Sequence, residues 1–283
     1  MKLTLTKFLL IFFAGFIVAI PSTYGAILVR RAIINQGPLV PRALQGFDDT
    51  DERVQINCAD LIDERTAVML TFGQSNASND GETRYRPEGS VFNFNFLDGN
   101  CYEAEDPLLG ATGTNGSVWS RLGDLLVSRN EYENVIFAPI AYGGSSIISW
   151  ANPLELQSRI NFAIDGLREQ GLNVTHLLWH QGSADESMTK EIYELYFHEI
   201  EIAIRDLDVE APIYIAVASC NEGSEVTEAQ RMLVDAKRNV LAGPDTDLIS
   251  DPGDRWQGNC HFSGIGLDKH AEAWFTSLSE NPD

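Results

Sequence analysis

The sequence has few positive charges. Its 283 residues include 20 Lys and Arg against 41 Asp and Glu, which gives a formal net charge of −21. Binding to nucleic acid requires a basic surface that neutralises phosphates, so this composition argues against a nucleic-acid partner. The same charge repels anionic polymers at low salt, unless the acidic residues lie away from the binding site. Apart from these exclusions, the acidic excess is typical of a soluble surface.

Long hydrophobic runs are also lacking, except at the N-terminus. Two lysines precede the apolar residues 8–20, and Pro21 ends the run. Thr23 and Gly25 are small residues suited to cleavage by signal peptidase. A spanning helix needs about 20 apolar residues, so we predict that 1–25 is a signal peptide rather than an uncleaved anchor. No later segment has the pattern of a membrane span, and we expect none after signal removal.

Short apolar runs alternate with longer amphipathic stretches from Thr66 onward. This alternation predicts an α/β fold with a central parallel sheet of about five strands, covered by helices on both faces. The predicted strands are Ala67–Phe72, Val135–Ala141, Val174–Trp179, Ile213–Ala218 and Asp247–Ser250, and the predicted helices are Val118–Arg129, Pro153–Gln170, Lys190–Leu207, Val226–Leu241 and Leu267–Leu278.

The remaining segments set the domain boundaries. Residues 26–62 are predicted to form an N-terminal arm, because proline, glycine and the acidic run at 48–52 break any periodicity. The globular domain is predicted to span 63–283. The segment Gly81–Gly116 is long, aromatic and rich in Gly and Asn, and we interpret it as an insertion beside the site. The sequence contains no internal repeat and no low-complexity tract.

Cysteine is scarce, with four residues and no two of them closely spaced. This spacing differs from that of metal-binding cysteines. An even number in an exported protein predicts two disulfides, and we prefer the pairs Cys58–Cys101 and Cys220–Cys260. Each of these pairs would join loops near one end of the sheet. Four buried free thiols are the alternative.

A serine follows the first predicted strand. The apolar run ends at Gly73, and Ser75 comes two positions later, between Gln74 and Asn76. A parallel strand delivers residues to its carboxyl end, where α/β proteins place their sites. On a tight turn permitted by glycine, a serine can direct its hydroxyl and a backbone N–H toward one pocket. An ordinary polar turn is the alternative, since Gly, Asn and Ser mark turns in general.

Three later stretches carry related chemistry. Gly143-Gly144-Ser145 follows the second predicted strand, where glycines let backbone N–H groups approach a ligand. Trp179-His180-Gln181-Gly182 ends the third strand, where the Gln181 amide is suited to donate to an oxyanion and His180 is expected to be structural. His261-Phe262-Ser263 comes directly before the last helix.

In this order, the Gly73-Gln74-Ser75-Asn76 stretch and these three stretches resemble the SGNH hydrolases. The closest branch is that of the sialate O-acetylesterases and carbohydrate acetylesterases, and the resemblance spans roughly Thr66 to Trp274. It implies a flavodoxin-like three-layer α/β/α sandwich. It also implies an enzyme that removes acyl groups, commonly acetyl, from carbohydrates without a metal or another cofactor.

The resemblance also implies roles for individual residues. Ser75 would be the nucleophile and His261 the base. The oxyanion hole would consist of the Ser75 N–H, the Gly144 N–H and the Gln181 side chain. We expect Asn76 and Trp150 to contact the substrate, with Trp150 and the aromatic residues of 92–102 favouring a sugar platform. Simple loop packing is the alternative for these aromatic residues.

The chain departs from the family pattern beside its histidine. The family has an acidic residue three positions earlier, where this chain has Gly258. Asp254 is the nearest acid, and we predict that it orients His261, with Asp251 as the next candidate. A serine–histidine dyad without a side-chain acid is the alternative. A second departure is Ser183, which stands where family members often carry glutamate.

These observations predict a secreted or periplasmic serine esterase that removes acetyl or other short acyl groups from carbohydrate through an acyl-enzyme. One alternative is an esterase or lipase that acts on an acyl ester without a sugar. Another is a non-catalytic glycan-binding descendant, which the missing acid favours. The complete set of Ser75, Gly144, Gln181 and His261 favours an enzyme, because binding alone does not need all four.

Overall fold

The computed structural model describes residues 41–220 and 224–280. The predicted signal peptide 1–25 and the first part of the predicted arm lie outside the described residues. The described chain forms eight strands and six helices, and none of these helices is long and apolar enough to cross a membrane. The strands are β1 (Gln55–Ile56), β2 (Thr66–Gly73), β3 (Val91–Asn95), β4 (Asn100–Glu103), β5 (Asn134–Pro139), β6 (His176–His180), β7 (Ile213–Val217) and β8 (Val240–Asp245), and the helices are α1 (Val118–Ser128), α2 (Ile147–Ala151), α3 (Gln157–Glu169), α4 (Lys190–Arg205), α5 (Glu225–Met232) and α6 (Gly264–Glu280).

The eight strands lie in one sheet, in the order β1-β4-β3-β5-β2-β6-β7-β8. From β3 to β8 all neighbouring strands are parallel, whereas β4 pairs antiparallel with both β3 and β1. The strands β5-β2-β6-β7-β8 follow the 2-1-3-4-5 order of flavodoxin-like folds. In such folds the ligand binds outside the carboxyl ends of the strands, where the strand order reverses. Here that point lies between β2 and β6.

Helices cover both faces of the sheet. On one face, Trp119 of α1 packs against Trp274 of α6. On the other face, Trp150 of α2 and Phe197 of α4 pack edge-on against Trp179 of β6. The central strands are buried along nearly their whole length because both of their faces are covered. The predicted α/β class and three-layer α/β/α sandwich are therefore confirmed.

The sheet has eight strands instead of about five. The predicted insertion Gly81–Gly116 supplies β3 and β4, which extend the sheet beyond β5, and the predicted arm supplies β1. The C-terminal part of the prediction was wrong as well. The strand predicted at Asp247–Ser250 lies instead at Val240–Asp245, and its first two residues overlap the end of the predicted helix Val226–Leu241. As an edge strand, β8 buries only some of its residues and contains a proline, so its apolar signal is weak.

Both predicted disulfides are confirmed. Cys58–Cys101 joins the turn after β1 to β4, with 5.4 Å between the Cα atoms. Cys220–Cys260 joins the residues after β7 to the loop before α6, with 5.6 Å between the Cα atoms. The second disulfide therefore ties the loop that carries His261 to the central sheet.

A fully buried arginine fastens the arm to the domain. The guanidinium of Arg159 in α3 donates to the carbonyl oxygens of Ile140 at 2.7 Å and Gly110 at 2.8 Å. It also donates to the carbonyl oxygens of Ala43, at 3.3 Å, and Gln45 in the arm. No carboxylate among the described residues pairs with it, and burial lowers its pKa to about 9. Its charge is held by backbone carbonyls and by the faces of two aromatic rings, Phe96 at 4.8 Å and Tyr142 at 5.7 Å.

We expect Arg159→Met to lower the free energy of unfolding by about 3 kcal/mol or more, because several buried carbonyls lose their donor together. Arg129→Met is the control, since Arg129 is exposed and pairs with Glu272 on the surface. That change should cost about 1 kcal/mol or less. Urea denaturation of the two variants measures the difference. Equal losses would show that the buried arginine does not hold the arm.

Candidate active site

Ser75 occupies the centre of the carboxyl edge of the sheet. It begins a short 3-10 turn, Ser75–Ala77, directly after β2, which lies between β5 and β6. Gly73 makes this turn possible, since its φ is +126° and a Cβ there would lie 2.1 Å from the carbonyl oxygen of His180. Ser75 is 8% exposed. Within the described chain, neither its hydroxyl nor its N–H has a hydrogen-bond partner.

The glycine turn after β5 lies beside Ser75. The Tyr142 N–H donates to the carbonyl oxygen of Gly73 at 3.0 Å, and the Ser145 hydroxyl donates to the carbonyl oxygen of Tyr142 at 2.7 Å. Between them, Gly144 has a φ of +66° and is exposed. Its N–H has no acceptor in residues 41–220 and 224–280. Two backbone donors, those of Ser75 and Gly144, are thus unpaired on neighbouring turns.

The Gln181 side chain is bonded within the protein, whereas the sequence predicted that its amide donates to the oxyanion. Its side chain is fully buried. Its amide nitrogen donates to the Ser145 carbonyl oxygen at 3.2 Å and to an Asp185 carboxylate oxygen at 2.6 Å. Its amide oxygen accepts a hydrogen bond from the Tyr193 hydroxyl at 3.0 Å. Both amide hydrogens therefore already have acceptors.

His261 lies on a loop that contacts the turn of Ser75. The Asn76 amide nitrogen donates to the carbonyl oxygen of Cys260 at 3.0 Å, and Arg255 donates to the same oxygen at 2.7 Å. Phe262 is fully buried, whereas His261 is half-buried. In the described part of the chain the imidazole of His261 has no hydrogen-bond partner. Catalytic hydrogen bonds often form only when substrate is bound, so this geometry is compatible with a base.

Asp254 does not contact His261 in this structure. Its carboxylate is 2% exposed and accepts hydrogen bonds from the Lys269 ammonium at 2.9 Å and the Asp251 N–H at 3.0 Å. Lys269 also pairs with Asp251 at 2.7 Å. The carboxylate is therefore bonded to the start of its own loop and to α6. An orienting role for Asp254 would require a contact with His261 that this structure does not contain.

The two expected substrate contacts have structural roles here. Trp150 is fully buried beneath the glycine turn, and its indole N–H donates to the Ser145 hydroxyl at 2.8 Å. It supports the turn from below and offers no stacking surface, which corrects the prediction. Asn76 is almost buried, and its amide is bonded to the histidine loop. Phe94 and Phe96 of the predicted insertion also pack inside the domain.

His180 is a structural residue, in agreement with the sequence. It is buried, and its Nε2 lies 2.9 Å from the Thr246 hydroxyl oxygen. Burial lowers the pKa of His180 to about 3, so the ring is neutral at physiological pH. A ring so strongly held in the neutral form is a poor proton acceptor, and His261 remains the candidate base.

Sequence reasoning missed two residues that connect the motifs. The amide oxygen of Gln74 accepts hydrogen bonds from the N–H groups of Gly182 and Ala184, both at 3.1 Å. Asp185 joins the loop after β6 to the glycine turn after β5. The only signal for these contacts was the presence of polar side chains next to Ser75 and Gln181, and it did not reveal their partners.

The comparison with solved structures found several similar chains, at 18% identity or less. A protein from Arabidopsis thaliana has a TM-score of 0.63 and 18% identity, covering 77% of this chain and 98% of its own. A carbohydrate acetylesterase from Xanthomonas citri has a TM-score of 0.47 and 15% identity, covering 75% and 55%. A family 3 carbohydrate esterase from Clostridium thermocellum has a TM-score of 0.45 and 14% identity, covering 76% and 96%.

Sequence comparison identifies the family. No curated protein matches the sequence. The family model for carbohydrate esterases, described as sialic acid-specific acetylesterase, matches residues 65–266. This match covers more than half of the chain, including Ser75, Gly144, Gln181 and His261, and confirms the resemblance to the carbohydrate acetylesterase branch of the SGNH hydrolases. The protein therefore belongs to the carbohydrate esterase family of the sialic acid-specific acetylesterases.

Proposed function

We propose that this carbohydrate esterase is a serine enzyme that removes acetyl or other short acyl groups through an acyl-enzyme. One observation carries the proposal. On adjacent turns, the Ser75 hydroxyl and the N–H groups of Ser75 and Gly144 have no partner among the described residues, and the nearby His261 ring is also unpaired. Polar groups that are shielded from water are nearly always paired in folded proteins, so the unpaired hydroxyl and N–H of Ser75, which is 8% exposed, favour a reaction site at the carboxyl edge of the sheet.

The mechanism uses these groups in two steps. His261 accepts the proton of the Ser75 hydroxyl while the Ser75 oxygen attacks the acyl carbonyl carbon. The N–H groups of Ser75 and Gly144 donate to the oxyanion, and each such donor contributes about 3 kcal/mol to transition-state stabilisation. The bond between the acyl carbon and the sugar oxygen then breaks, and His261 gives the proton to that oxygen, so that the sugar leaves as a free hydroxyl. In the second step His261 takes a proton from water while the water oxygen attacks the acyl carbon. The bond between that carbon and the Ser75 oxygen then breaks, and His261 returns the proton to Ser75, which releases the carboxylic acid and restores the free hydroxyl.

The proposed working form is a serine–histidine dyad. Asp254 is bonded through its Oδ2 to Lys269 and to the Asp251 N–H, and neither contact joins it to His261. A dyad needs the histidine loop to be held in place by other means, and the contacts of Asn76 and Arg255 with the Cys260 carbonyl oxygen serve this purpose.

We also propose that the enzyme acts outside the cytoplasm. Its four cysteines form two disulfides. Disulfides persist in oxidising compartments and are rare in the cytosol, so a secreted or periplasmic location is favoured.

The first prediction tests the nucleophile. Purified protein should release acetate from an acetylated sugar and from an aryl acetate, with and without EDTA. Ser75→Ala should lower kcat by about 10⁴-fold or more, because the acyl-enzyme cannot form. Ser128→Ala is the control, since Ser128 lies on the exposed side of the end of α1, and it should keep full activity. Retained activity in Ser75→Ala would exclude the mechanism, and loss of activity with EDTA would indicate a metal.

The second prediction concerns the histidine loop. Removing Cys220–Cys260 by two Cys→Ser changes should lower kcat/KM by about 10-fold or more, because a small displacement of His261 is costly. Removing Cys58–Cys101 in the same way is a matched control, since the two disulfides span similar separations, 40 and 43 residues. Chain entropy predicts similar losses in unfolding free energy for both, about 2–4 kcal/mol. Equal losses of activity at equal stability would contradict a specific role for Cys220–Cys260.

A carboxylate beside the glycine turn bears on the charge of the substrate. Asp80 is half-buried, accepts a hydrogen bond from the Ser78 hydroxyl at 2.5 Å, and lies 3.3 Å from where a Cβ on Gly143 would be. No described cation pairs with it. Arg255, next to the histidine loop, donates its N–H groups to three backbone carbonyls, so it is not free to bind a carboxylate. We therefore propose a carbohydrate without a negative charge near its ester.

The third prediction follows from this charge. At low salt, kcat/KM should be higher for a neutral acetylated sugar than for an acetylated sugar acid by about 10-fold, and added salt should narrow the difference. Asp80→Asn should narrow it as well. Glu131→Gln, on the exposed turn between α1 and β5, should leave the ratio unchanged. A preference for the anionic substrate in the unaltered protein would refute the proposal.

A further inference from the structure

We infer that Asp185 is a positioning residue that fixes the Gly144 N–H, and that Gln181 acts together with it instead of donating to the oxyanion. The inference rests on the proposed function, in which the Gly144 N–H is one of the oxyanion donors. It assigns to Gln181 and Asp185 a joint role that differs from the one expected for Gln181 alone.

The carboxylate of Asp185 joins two loops. One oxygen accepts a hydrogen bond from the Ser146 hydroxyl at 2.6 Å. The other accepts from the Ile147 N–H at 2.7 Å and from the Gln181 amide at 2.6 Å. Asp185 is 6% exposed, and no described cation pairs with it. These charge-assisted hydrogen bonds are therefore the main interactions that hold this carboxylate in place.

The same contacts fix the residues that follow Gly144. Ser145 accepts a hydrogen bond from Gln181 on its carbonyl oxygen and one from the Trp150 indole on its hydroxyl. Ser146 and Ile147 are bonded to Asp185. The three residues after Gly144 are thus held on several sides, while the N–H of Gly144 is left unpaired. The direction of that N–H depends on this anchorage, and catalytic donors need placement to within about 0.5 Å.

The partners of Gln181 determine the orientation of its amide. The Asp185 carboxylate and the Ser145 carbonyl oxygen can only accept hydrogen bonds, so the NH₂ group must face both. The amide oxygen then faces the Tyr193 hydroxyl, as observed. A hydrogen bond from Gln181 to an oxyanion would have to replace one of these two buried contacts. In this arrangement the amide of Gln181 connects the Asp185 carboxylate to the glycine turn through two hydrogen bonds.

The experiment compares two substitutions at one position. Asp185→Ala removes every contact and should lower kcat for acetate release by about 10²-fold, the usual effect of losing one oxyanion donor, with KM changed less than about threefold. Asp185→Asn should keep kcat within about 10-fold, because its amide oxygen can accept from Ile147 and Gln181 while its NH₂ group donates to the Ser146 hydroxyl. Asp165→Ala, on the exposed face of α3, is the control and should have no effect.

A double-mutant cycle separates the two roles of Gln181. If Gln181 acts through Asp185, the double change Gln181→Leu and Asp185→Ala should lower kcat no more than about the larger of the two single changes. If Gln181 donates directly to the oxyanion, the two losses should multiply. Multiplying losses would overturn the inference, and so would an Asp185→Ala variant with lower thermal stability but unchanged kcat.

Amide hydrogen exchange tests the anchorage without any activity. Residues 143–147 should exchange faster in Asp185→Ala than in the unaltered protein, while Asp185→Asn should restore slow exchange. Unchanged exchange would overturn the inference even if the enzyme releases acetate. If exchange is faster in Asp185→Ala but the unaltered protein releases no acetate, the anchorage is upheld and the proposed function is refuted.

Discussion

The close approach of β2 to β6 at Gly73 is the constraint on which the site depends. A side chain at this position would collide with the His180 carbonyl oxygen, and the next residue, Gln74, donates its N–H to that same oxygen at 3.0 Å. The amide oxygen of Gln74 then accepts hydrogen bonds from two N–H groups of the loop after β6. The chain therefore enters its turn already bonded to the neighbouring loop, and Ser75 has little freedom in where it presents its hydroxyl.

Most buried polar side chains around the site have hydrogen-bond partners, so the groups without a partner are candidates for the reaction. Gln74, Asn76, Gln181, Asp185 and Asp254 are buried, and each has partners in other segments. A buried polar group without a partner costs about 1–3 kcal/mol, so such a network holds its members in one arrangement. Among the described residues, the Ser75 hydroxyl, the N–H groups of Ser75 and Gly144 and the His261 imidazole have no such partners. These are the groups that ester hydrolysis uses.

The sequence predicted the central strands, most helices, both disulfides and the four motifs, because these follow from apolar runs, cysteine parity and strand-end glycines. It did not predict β1, β3, β4 or β8. The strands β1, β4 and β8 bury few residues and carry a weak pattern, whereas β3 is mostly buried but contains two asparagines that interrupt its apolar run. It also misplaced Trp150, and it predicted His261 as the partner of Asp254 and the oxyanion as the partner of Gln181, without the contacts that the structure contains. A side chain next to a site in sequence can point into the core, and partners such as Lys269 and Ser146 come from other segments.

The missing orienting acid has a physical substitute for only part of its role. In a serine triad the acid holds the histidine ring and stabilises the imidazolium. Here Asn76, Arg255 and the Cys220–Cys260 disulfide fasten the histidine loop, which addresses its placement. Stabilisation of the imidazolium would have to come from the field of the acidic protein, with a net charge of −21. That same field disfavours the oxyanion, so the reaction requires local donors that are fixed in advance. A field that favours the imidazolium therefore makes the oxyanion more dependent on the Gly144 N–H, which the proposed contacts of Asp185 hold in place.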